Sequence, residues 1–579
     1  MTDEILLKGG IVYDPLNGIN GEEADIAVRD GKIVDRVSHK AKVYDLDGRA
    51  VLPGGVDLHS HIIGSKIGTA RAMAPEYHRT EPVPRRGRLR SGVGSVLPSS
   101  FVIGYRYSQM GYTTVIDPAI PAVKALGAWE EVADVPLLDV GMLSLFSNSM
   151  LTFHYIQEDD MAGLAAYIAW TLRMAGGYGV KVVNPGGTYA WAHHMNVHDL
   201  DESIPDWEIT PREILRNLVS AVEHLGLPHT VHLHPNNLGT VGNIETTIAQ
   251  LEAVRGIRGH RGRPQVIHLT HISFESLGCL EGEEPEWKNV VSGGLELAEY
   301  ANRHNHFTAD LGQIAFGPAM TMTADGPFQF RLYGIVRGKW SNIAVDVELP
   351  GGAGVVPYTY SPKSLTNSVQ WMISLEYALS VCDLWRCVIT TDSPNAAPFT
   401  QYPLIISWLM SKKQRSEWIQ RIHPAAAKKS TLPDIEREWS LYDVAVSTRA
   451  APARILGLEH HKGHLGIGAD ADIAVLDVRP NDANVTEKPK DIVKAFSKTY
   501  MTFKHGVLVA KGETVVADAP RHVLTVHPVI EESTWDRVSS EVESLIDRWY
   551  VHSHDNYAVP ARYRTPLEAT VRVRGSAGR

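Results

Sequence analysis

The stretch Val56-Asp57-Leu58-His59-Ser60-His61 decides the fold and the chemistry that we predict for this chain. It follows the apolar, glycine-containing run 51–55, which has the character of a buried strand. Residues i and i+2 of a strand point to the same face, so His59 and His61 would present two imidazoles to one side. Two imidazoles at the end of a strand can begin a metal site. Because a bare His-x-His is a weak signal, the assignment depends on further ligands elsewhere in the chain.

The composition is that of a globular enzyme. A chain of 579 residues is too long for one compact core, so we expect two or three domains. The net charge of −10 argues against nucleic-acid binding. We find neither a signal peptide nor an apolar run of about 18 residues, so we expect a cytoplasmic protein with no membrane partner. Cys279, Cys382 and Cys387 form no CxxC pair, which argues against an iron–sulfur cluster in this chain.

Apolar strands alternate with amphipathic stretches from residue 51 onward, and this alternation predicts βα units around a parallel sheet. Thr210-Pro211 followed by Glu213 has the pattern of a helix N-terminus. The amphipathic stretches are 160–175, 212–226, 243–256, 294–303 and 367–381. The eight candidate strands are 51–61, 113–118, 136–143, 180–184, 229–234, 265–271, 306–311 and 387–392. Eight such units predict an α/β fold of the (β/α)8 TIM-barrel type, with its active site at the C-terminal ends of the strands.

Both ends of the chain are rich in short strands and turns. Asp30-Gly31 is a hairpin signal near the N-terminus, and 503–512 is a hairpin-like run near the other end. We therefore expect the two ends to meet in one composite β-sandwich beside the barrel. The predicted divisions are 1–52 for its N-terminal part, 53–455 for the barrel, 456–519 for its C-terminal part, and 520–579 for a C-terminal extension with a helix near 534–549.

Polar residues at the ends of five predicted strands supply the missing ligands. A lysine inside a barrel strand is costly unless it is paired or modified, and carboxylation by CO2 would turn it into an anion that bridges two metals. The expected cofactor is therefore a pair of divalent metal ions, with zinc as the expected metal for a histidine-rich hydrolytic site. The ligands that we assign are His59, His61 and Asp392 for one metal, His232 and His268 for the second, and carboxylated Lys181 between them.

Two ligand assignments have an alternative on the same strand. We favour His232 over His234 on the fifth strand, and His268 over His271 on the sixth, with His271 close to the substrate. A hydroxide bridging the metals would be the nucleophile. Asp392 would also be catalytic, because it can take the proton of the attacking water and pass it to a leaving amine.

The order of these residues resembles the amidohydrolase superfamily, and residues 51–57 and 468–472 are similar to the ends of hydantoinase-type members. More specific stretches are not hydantoinase motifs. They resemble instead the A subunit of formylmethanofuran dehydrogenase and of the related bacterial formyltransferase/hydrolase complex. These stretches are 184–188, 234–239, 321–328, 360–363 and 391–400.

The resemblance runs from about residue 4 to about residue 515. It implies an amidohydrolase barrel with a composite β-sandwich, which interconverts N-formylmethanofuran with formate and methanofuran in C1 metabolism. The expected partners are the other subunits of such a complex, one of which would carry any tungsten or molybdenum cofactor. After Asp392 the chain reads Ser393-Pro394-Asn395. The resemblance leads us to expect a histidine after this aspartate in many archaeal members. The choice between a dehydrogenase and a hydrolase complex therefore stays open, as does the physiological direction.

Weaker signals lie around this set. Asn236, Asn237 and Asn395 are expected to contact the substrate together with His271, although asparagines near turns are usually structural. The arginine loop of Arg85, Arg86, Arg88 and Arg90 would either attract an acidic substrate tail or be a solvated loop or a subunit contact. The histidines of the loop after strand 4, which we do not assign as ligands, are His193, His194 and His198.

Two other functions compete with this interpretation. The first is a cyclic-amide hydrolase of the dihydropyrimidinase or hydantoinase type, which would use the same metal site. The second is a non-catalytic scaffold subunit that kept the fold. The intact set of polar residues at barrel-strand ends argues against a scaffold, because such residues are costly without a function.

Overall fold

A computed structural model of the chain describes residues 4–83, 90–323, 325–339, 354–480, 488–565, 567–571 and 573. Within these residues eight parallel strands follow one another around a barrel, which confirms the predicted fold class. The barrel strands, numbered one to eight in chain order, are Gly55–Asp57, Tyr112–Ile120, Asp139–Leu145, Gly179–Val183, Val231–His234, Ile267–Leu269, Phe307–Asp310 and Cys387–Val388. A parallel bridge between Ser60 and Ser393 connects the eighth strand to the first, and the His61 N–H donates to the Ser393 carbonyl at 2.8 Å.

Helices alternate with the barrel strands as the amphipathic stretches predict. Helix Pro211–Leu225 begins with a capping box, in which the Thr210 side chain and the Glu213 side chain each accept from the other's backbone N–H. Among the described helices, none has the length and apolar character that a membrane-spanning segment requires. The helices include Gly64–Met73, Ser100–Gln109, Ala125–Val132, Met150–Gln157, Met161–Ala175, Gly187–Ala192, Ile244–Val254, Gly294–Arg303, Gly326–Val336, Leu365–Ser380, Tyr402–Met410 and Lys412–Ile419.

The two ends of the chain meet in one mixed sheet, which contains nine strands among the described residues. The junction is the antiparallel pair of Ala50–Pro53 with Ile473–Val475. Asp30-Gly31 and His505-Gly506 form the two predicted hairpin turns, with positive φ at all four residues. The exact domain divisions at residues 52 and 456 stay predictions. The strands are Glu4–Asp14, Ile19–Arg29, Lys32–Val34, Lys42–Asp45, Ala50–Pro53, Ile473–Val475, Met501–Lys504, Val507–Lys511 and Thr514–Val515.

The C-terminal extension packs against the barrel. Its strand Val523–Val526 pairs in parallel with the third barrel strand, with Val523 opposite Val140. The strand Glu568–Val571 then pairs with Val523–Val526. Helix Glu532–Trp549, which confirms the helix expected near 534–549, leads to Tyr550, whose hydroxyl accepts from the Met150 N–H at 2.8 Å. The extension thus contacts the barrel through both a strand pair and a hydrogen bond to helix Met150–Gln157.

A buried cluster of charges joins the barrel to the composite sheet and the extension. Asp139 begins the third barrel strand, and its Oδ2 accepts from the Nζ of Lys462 at 2.5 Å and of Lys504 at 2.6 Å. Asp472 Oδ2 accepts from the same two ammonium groups, at 2.9 Å each. The backbone N–H of His522, in the extension, donates to Asp139 Oδ1 at 2.7 Å. One carboxylate therefore links three segments that are distant in sequence.

Replacement of Asp139 by Asn should destabilise the protein, because Lys462 and Lys504 would keep buried positive charges with one acceptor fewer. Breaking a buried ion pair costs about 3–5 kcal/mol, which for a chain of 579 residues corresponds to a thermal midpoint lowered by about 2–4 °C. Differential scanning fluorimetry measures the thermal midpoint. The control is Asp201→Asn, which removes the exposed pair with Arg212 and should leave the midpoint almost unchanged. Equal midpoints for both variants would contradict the proposed linkage.

Candidate metal centre

A cavity lies at the C-terminal ends of the barrel strands, where barrel enzymes have their active sites. One part of its wall is apolar and comes from Ala119, Val183, Leu238, Phe274, Met322 and Phe328. The rest is polar and almost entirely buried. The polar lining residues are His59, His61, Lys66, Lys181, His234, His271, Thr321, Thr323, Gln329, Asp392 and Asn395.

His59 and His61 converge on Asp392. The Nε2 atoms of the two rings lie 3.0 and 3.2 Å from the same oxygen, Asp392 Oδ1. The opposite nitrogen of each ring faces another buried carboxylate, since His59 Nδ1 lies 3.0 Å from Asp310 and His61 Nδ1 lies 3.6 Å from Asp117. Metal-bound histidines are oriented by carboxylates in this way. The three residues therefore form a donor set with fixed ring orientations.

His234 and His271 form a second converging pair. His234 Nδ1 lies 3.1 Å from His271 Nε2. The outer nitrogens again face buried carboxyl groups: His234 Nε2 is 3.6 Å from Asp325, and His271 Nδ1 is 3.4 Å from Glu275. Each cavity histidine thus directs one nitrogen toward a shared point and the other toward an acid. This arrangement is suited to a second metal ion.

Lys181 lies in the middle of the fourth barrel strand and lines the cavity together with both donor sets. It is buried, and its Nζ has no hydrogen-bond partner among the described residues. Burial lowers the pKa of Lys181 to about 7, against the opposing effect of Asp392 and Asp310. A large fraction of the amine is therefore neutral near pH 7, and the neutral form is the one that reacts with CO2. A buried amine without a partner fits a modified lysine better than a plain one.

The pKa shifts of the histidines differ between the two donor sets. Burial, followed by repulsion from Lys181, holds the pKa of His234 well below its usual value, and burial does the same to His271. Both rings are thus neutral and keep a lone pair for a metal. Burial opposes the charged form of His59, yet Asp310 and Asp392 raise its pKa to about 9. The first set therefore carries an exchangeable proton in the metal-free protein, which a cation would displace.

The family assignment follows from sequence comparison. A model described as "Amidohydrolase family" matches residues 42–510. The chain belongs to the amidohydrolase family. Protein FwdA of Methanocaldococcus jannaschii is 43% identical over 567 residues, which cover 97% of each chain. The A subunit of the formyltransferase/hydrolase complex Fhc of Methylorubrum extorquens is 33% identical, covering 96% of each chain.

A solved structure extends the similarity to the whole fold. The crystal structure of the formyltransferase/hydrolase complex FhcABCD from Methylorubrum extorquens, in complex with methylofuran, contains a chain that is 32% identical to this amidohydrolase. The TM-score is 0.88, and the superposition covers 99% of this chain and 100% of that chain. The resemblance expected from the sequence motifs is therefore confirmed, and the relative from Methylorubrum extorquens is a subunit of a multisubunit complex.

His232 and His268, which the sequence reasoning favoured as ligands in this amidohydrolase, lie below the cavity. His232 Nε2 is 3.0 Å from His59 Nδ1. His268 Nε2 is 3.1 Å from Asp310 Oδ2, and its Nδ1 is 2.7 Å from Thr308 Oγ1. Neither histidine lines the cavity, yet His232 forms a further candidate donor group with His59 and Asp310. The assignment of His232 and His268 as ligands therefore stays a prediction. His232 and His234 lie on the same face of the fifth strand but in successive layers of the barrel interior. The two-residue repeat of a strand predicts which face a side chain is on, but not which layer reaches the cavity.

The other residues singled out from the sequence have different positions. Asn395 lines the cavity and donates to Asp392 Oδ1 at 2.8 Å. Asn236 instead bonds Asn184 at 2.7 Å, and Asn237 donates to the His198 carbonyl at 3.0 Å in a positive-φ turn. Neither Asn236 nor Asn237 lines the cavity, so their substrate role stays a prediction.

The loops around the site supply no further ligand among the described residues. His193, His194 and His198 lie outside the cavity lining, and His193 Nδ1 is 3.7 Å from Asp206. Arg90 pairs with Asp134 at 2.8 Å on the surface. The rest of the arginine loop, Arg85, Arg86 and Arg88, lies outside the described residues.

The sequence reasoning missed the buried acids that orient the histidines. Asp310 ends the predicted strand 306–311, and an acid at a strand's C-terminal end is a recognisable signal. Asp325 lies within the quoted stretch 321–328, whereas Glu275 follows His271 by four residues, in helix Ile272–Glu275. Their roles depend on contacts between different strands and loops, which one sequence does not contain.

Asp310→Asn should lower metal affinity about 10–100-fold, the usual effect of removing an orienting carboxylate. Asp310 Oδ2 faces both His59 and His268. The asparagine side chain has no negative charge, so it would orient the two imidazole rings less strongly. Competition against a zinc chelator measures the dissociation constant. Asp434→Asn, a change outside the cavity lining, is the control. Unchanged affinity in Asp310→Asn would contradict the orienting role.

Proposed function

We propose that this chain is the metal-dependent amidohydrolase subunit that interconverts N-formylmethanofuran with formate and methanofuran. The observation that carries the proposal is full-length similarity to the A subunit of the formyltransferase/hydrolase complex, whose crystal structure contains methylofuran. Membership of the amidohydrolase family supports hydrolysis of an amide bond. The buried cavity supports a small reacting group such as formyl, with apolar residues to hold the rest of the substrate.

The donor sets fit two divalent metal ions, with zinc as the proposed metal. His59, His61 and Asp392 would hold the first ion. His234 and His271 would hold the second, in place of His232 and His268, because only the former pair lines the cavity. Carboxylated Lys181, whose amine has no partner among the described residues, would be shared by both.

When bound, the metals would supply a water of lowered pKa and a positive field at the carbonyl oxygen. Asp392 serves as general base and then general acid: it takes a proton from the attacking water and delivers it to the amine nitrogen as the C–N bond breaks. Contacts with His59 and His61 hold the pKa of Asp392 well below its usual value despite burial, so the carboxylate is available at neutral pH. Asn395 fixes its orientation by donating to Oδ1.

The proposed partners are the other subunits of a formyltransferase/hydrolase or formylmethanofuran dehydrogenase complex. The full-length relative from Methylorubrum extorquens is one component of the FhcABCD assembly. The same residues serve hydrolysis and the reverse condensation by microscopic reversibility. The direction in the cell therefore depends on the partners rather than on this site.

Metal content should distinguish the two histidine pairs. His234→Asn and His271→Asn should each lower bound zinc from about two ions per chain to about one, because each removes a donor that lines the cavity. His232→Asn, the matched control one layer below, should retain close to two ions with weaker affinity. Elemental mass spectrometry after gel filtration measures the ratio. Loss of an ion in His232→Asn but not in His234→Asn would contradict the proposed ligand set.

Formate release is the direct test of the proposed activity. The complex containing this chain should release formate from N-formylmethanofuran and should not hydrolyse dihydrouracil. Lys181→Ala should abolish release, because the anion shared by both metals would be lost. An enzyme-coupled formate assay and an ultraviolet assay of dihydrouracil ring opening measure the two reactions. Dihydrouracil turnover without formate release would favour the dihydropyrimidinase alternative, and neither activity in a metal-loaded complex would favour a scaffold.

A further inference from the structure

The side-chain amide of Gln329 is a buried polar group in the cavity that the metal ligands do not use. Gln329 is 1% exposed and lines the cavity. Neither its Oε1 nor its Nε2 has a hydrogen-bond partner among the described residues. A buried amide left unpaired costs about 1–3 kcal/mol, and nearly all such groups in native proteins are satisfied. A polar group that enters the cavity would satisfy both atoms.

The position of Gln329 is fixed by the start of helix Gly326–Val336. Asp325 caps this helix by accepting from the Phe328 N–H at 2.9 Å, and its other oxygen lies 3.6 Å from His234 Nε2. The Gln329 N–H donates to the Asp325 carbonyl at 3.1 Å. Gln329 thus lies in the first turn of the helix, and its side chain lines the same cavity as His234 and His271. A substrate bound in this cavity can therefore reach both the histidines and the Gln329 amide.

We infer that Gln329 binds the amide group of the substrate and selects amides over esters. Its Oε1 would accept the N–H of the scissile formamide, and its Nε2 would donate to a substrate oxygen. This inference rests on the proposed function. A carboxamide suits the role because it accepts a hydrogen bond without a negative charge that would compete with Asp392 for the metals. An ester of the same shape has no N–H and leaves Oε1 unpaired, which disfavours it.

Two other polar groups in the cavity lining, Asn395 and Lys66, are not available to accept a substrate N–H. Asn395 uses its amide on Asp392 Oδ1 and on the Met322 N–H. Lys66 is a cation without an acceptor atom, so it cannot receive a substrate N–H. Among the described amide side chains in the cavity lining, Gln329 is therefore the one with both donor and acceptor available.

The experiment compares N-formylmethanofuran with the formate ester in which oxygen replaces the N–H, using the full complex. In Gln329→Met, kcat/KM for the amide should fall about 10–100-fold, while kcat/KM for the ester should change less than about 3-fold. The amide-to-ester ratio is the readout, because a merely structural role would lower both reactions together. Gln329→Glu, which keeps the acceptor, should retain more of the amide preference than the methionine variant.

The matched control is Gln250→Met. Gln250 is also a fully buried amide, but both of its polar atoms are paired with Asn236. That variant should lower the thermal midpoint and leave the amide-to-ester ratio unchanged. Metal content and thermal midpoint are measured for every variant, so that misfolding and metal loss are separated from loss of recognition.

Two results would overturn the inference while leaving the proposed function intact. One is an unchanged amide-to-ester ratio in a folded, metal-loaded Gln329→Met complex that still releases formate. The other is loss of metal from Gln329→Met, which would place the residue in support of the metal site. A wild-type complex that hydrolyses the ester but not N-formylmethanofuran would contradict the proposed function itself.

Discussion

The rest of this site depends on one repeated interaction: each cavity histidine directs one ring nitrogen into the cavity and the other toward a buried carboxyl group. Asp310, Asp117, Asp325 and Glu275 face the outer nitrogens of His59, His61, His234 and His271, respectively. Neutral imidazoles can rotate, so without these acids the inner nitrogens would not stay directed at shared points. Backbone N–H groups offset part of the cost of burying these acids, since Asp117 accepts from Ile62, Asp310 from His271 and Asp325 from Phe328. The proposed pair of metal ions would account for the convergence of the inner nitrogens.

The barrel supplies these acids from separate parts of the chain. Asp310 comes from the seventh strand, Asp117 from the second, and Asp325 from the segment that caps helix Gly326–Val336. The contact of the eighth strand with the first, through Ser60 and Ser393, brings Asp392 to the histidine pair. The same helix that Asp325 caps also presents Gln329, so one element supports a proposed metal ligand and a proposed substrate contact. The short segments that follow the barrel strands therefore position both the proposed metal ligands and the proposed substrate contact.

The sequence contains enough to predict the barrel, because apolar strands alternating with amphipathic helices have a clear period. It also predicts His59, His61, Lys181 and Asp392 as a group, since a lysine and an acid at strand ends are unusual. It does not distinguish His234 from His232, because residues two apart share a face and differ only in depth. Nor does it indicate that Asp139 would join three segments, or that Gln329 would lie unpaired in the cavity. These depend on contacts between residues far apart in the chain.

The most direct test of the central claim is an anomalous diffraction measurement at the zinc absorption edge on crystals of the complex. The account predicts two anomalous peaks in the cavity, one among His59, His61 and Asp392 and the other beside His234 and His271. Continuous electron density should extend from Lys181 Nζ as a carboxyl group between the two peaks. A single peak, a peak beside His232 and His268, or an unmodified Lys181 in the metal-loaded protein would contradict it.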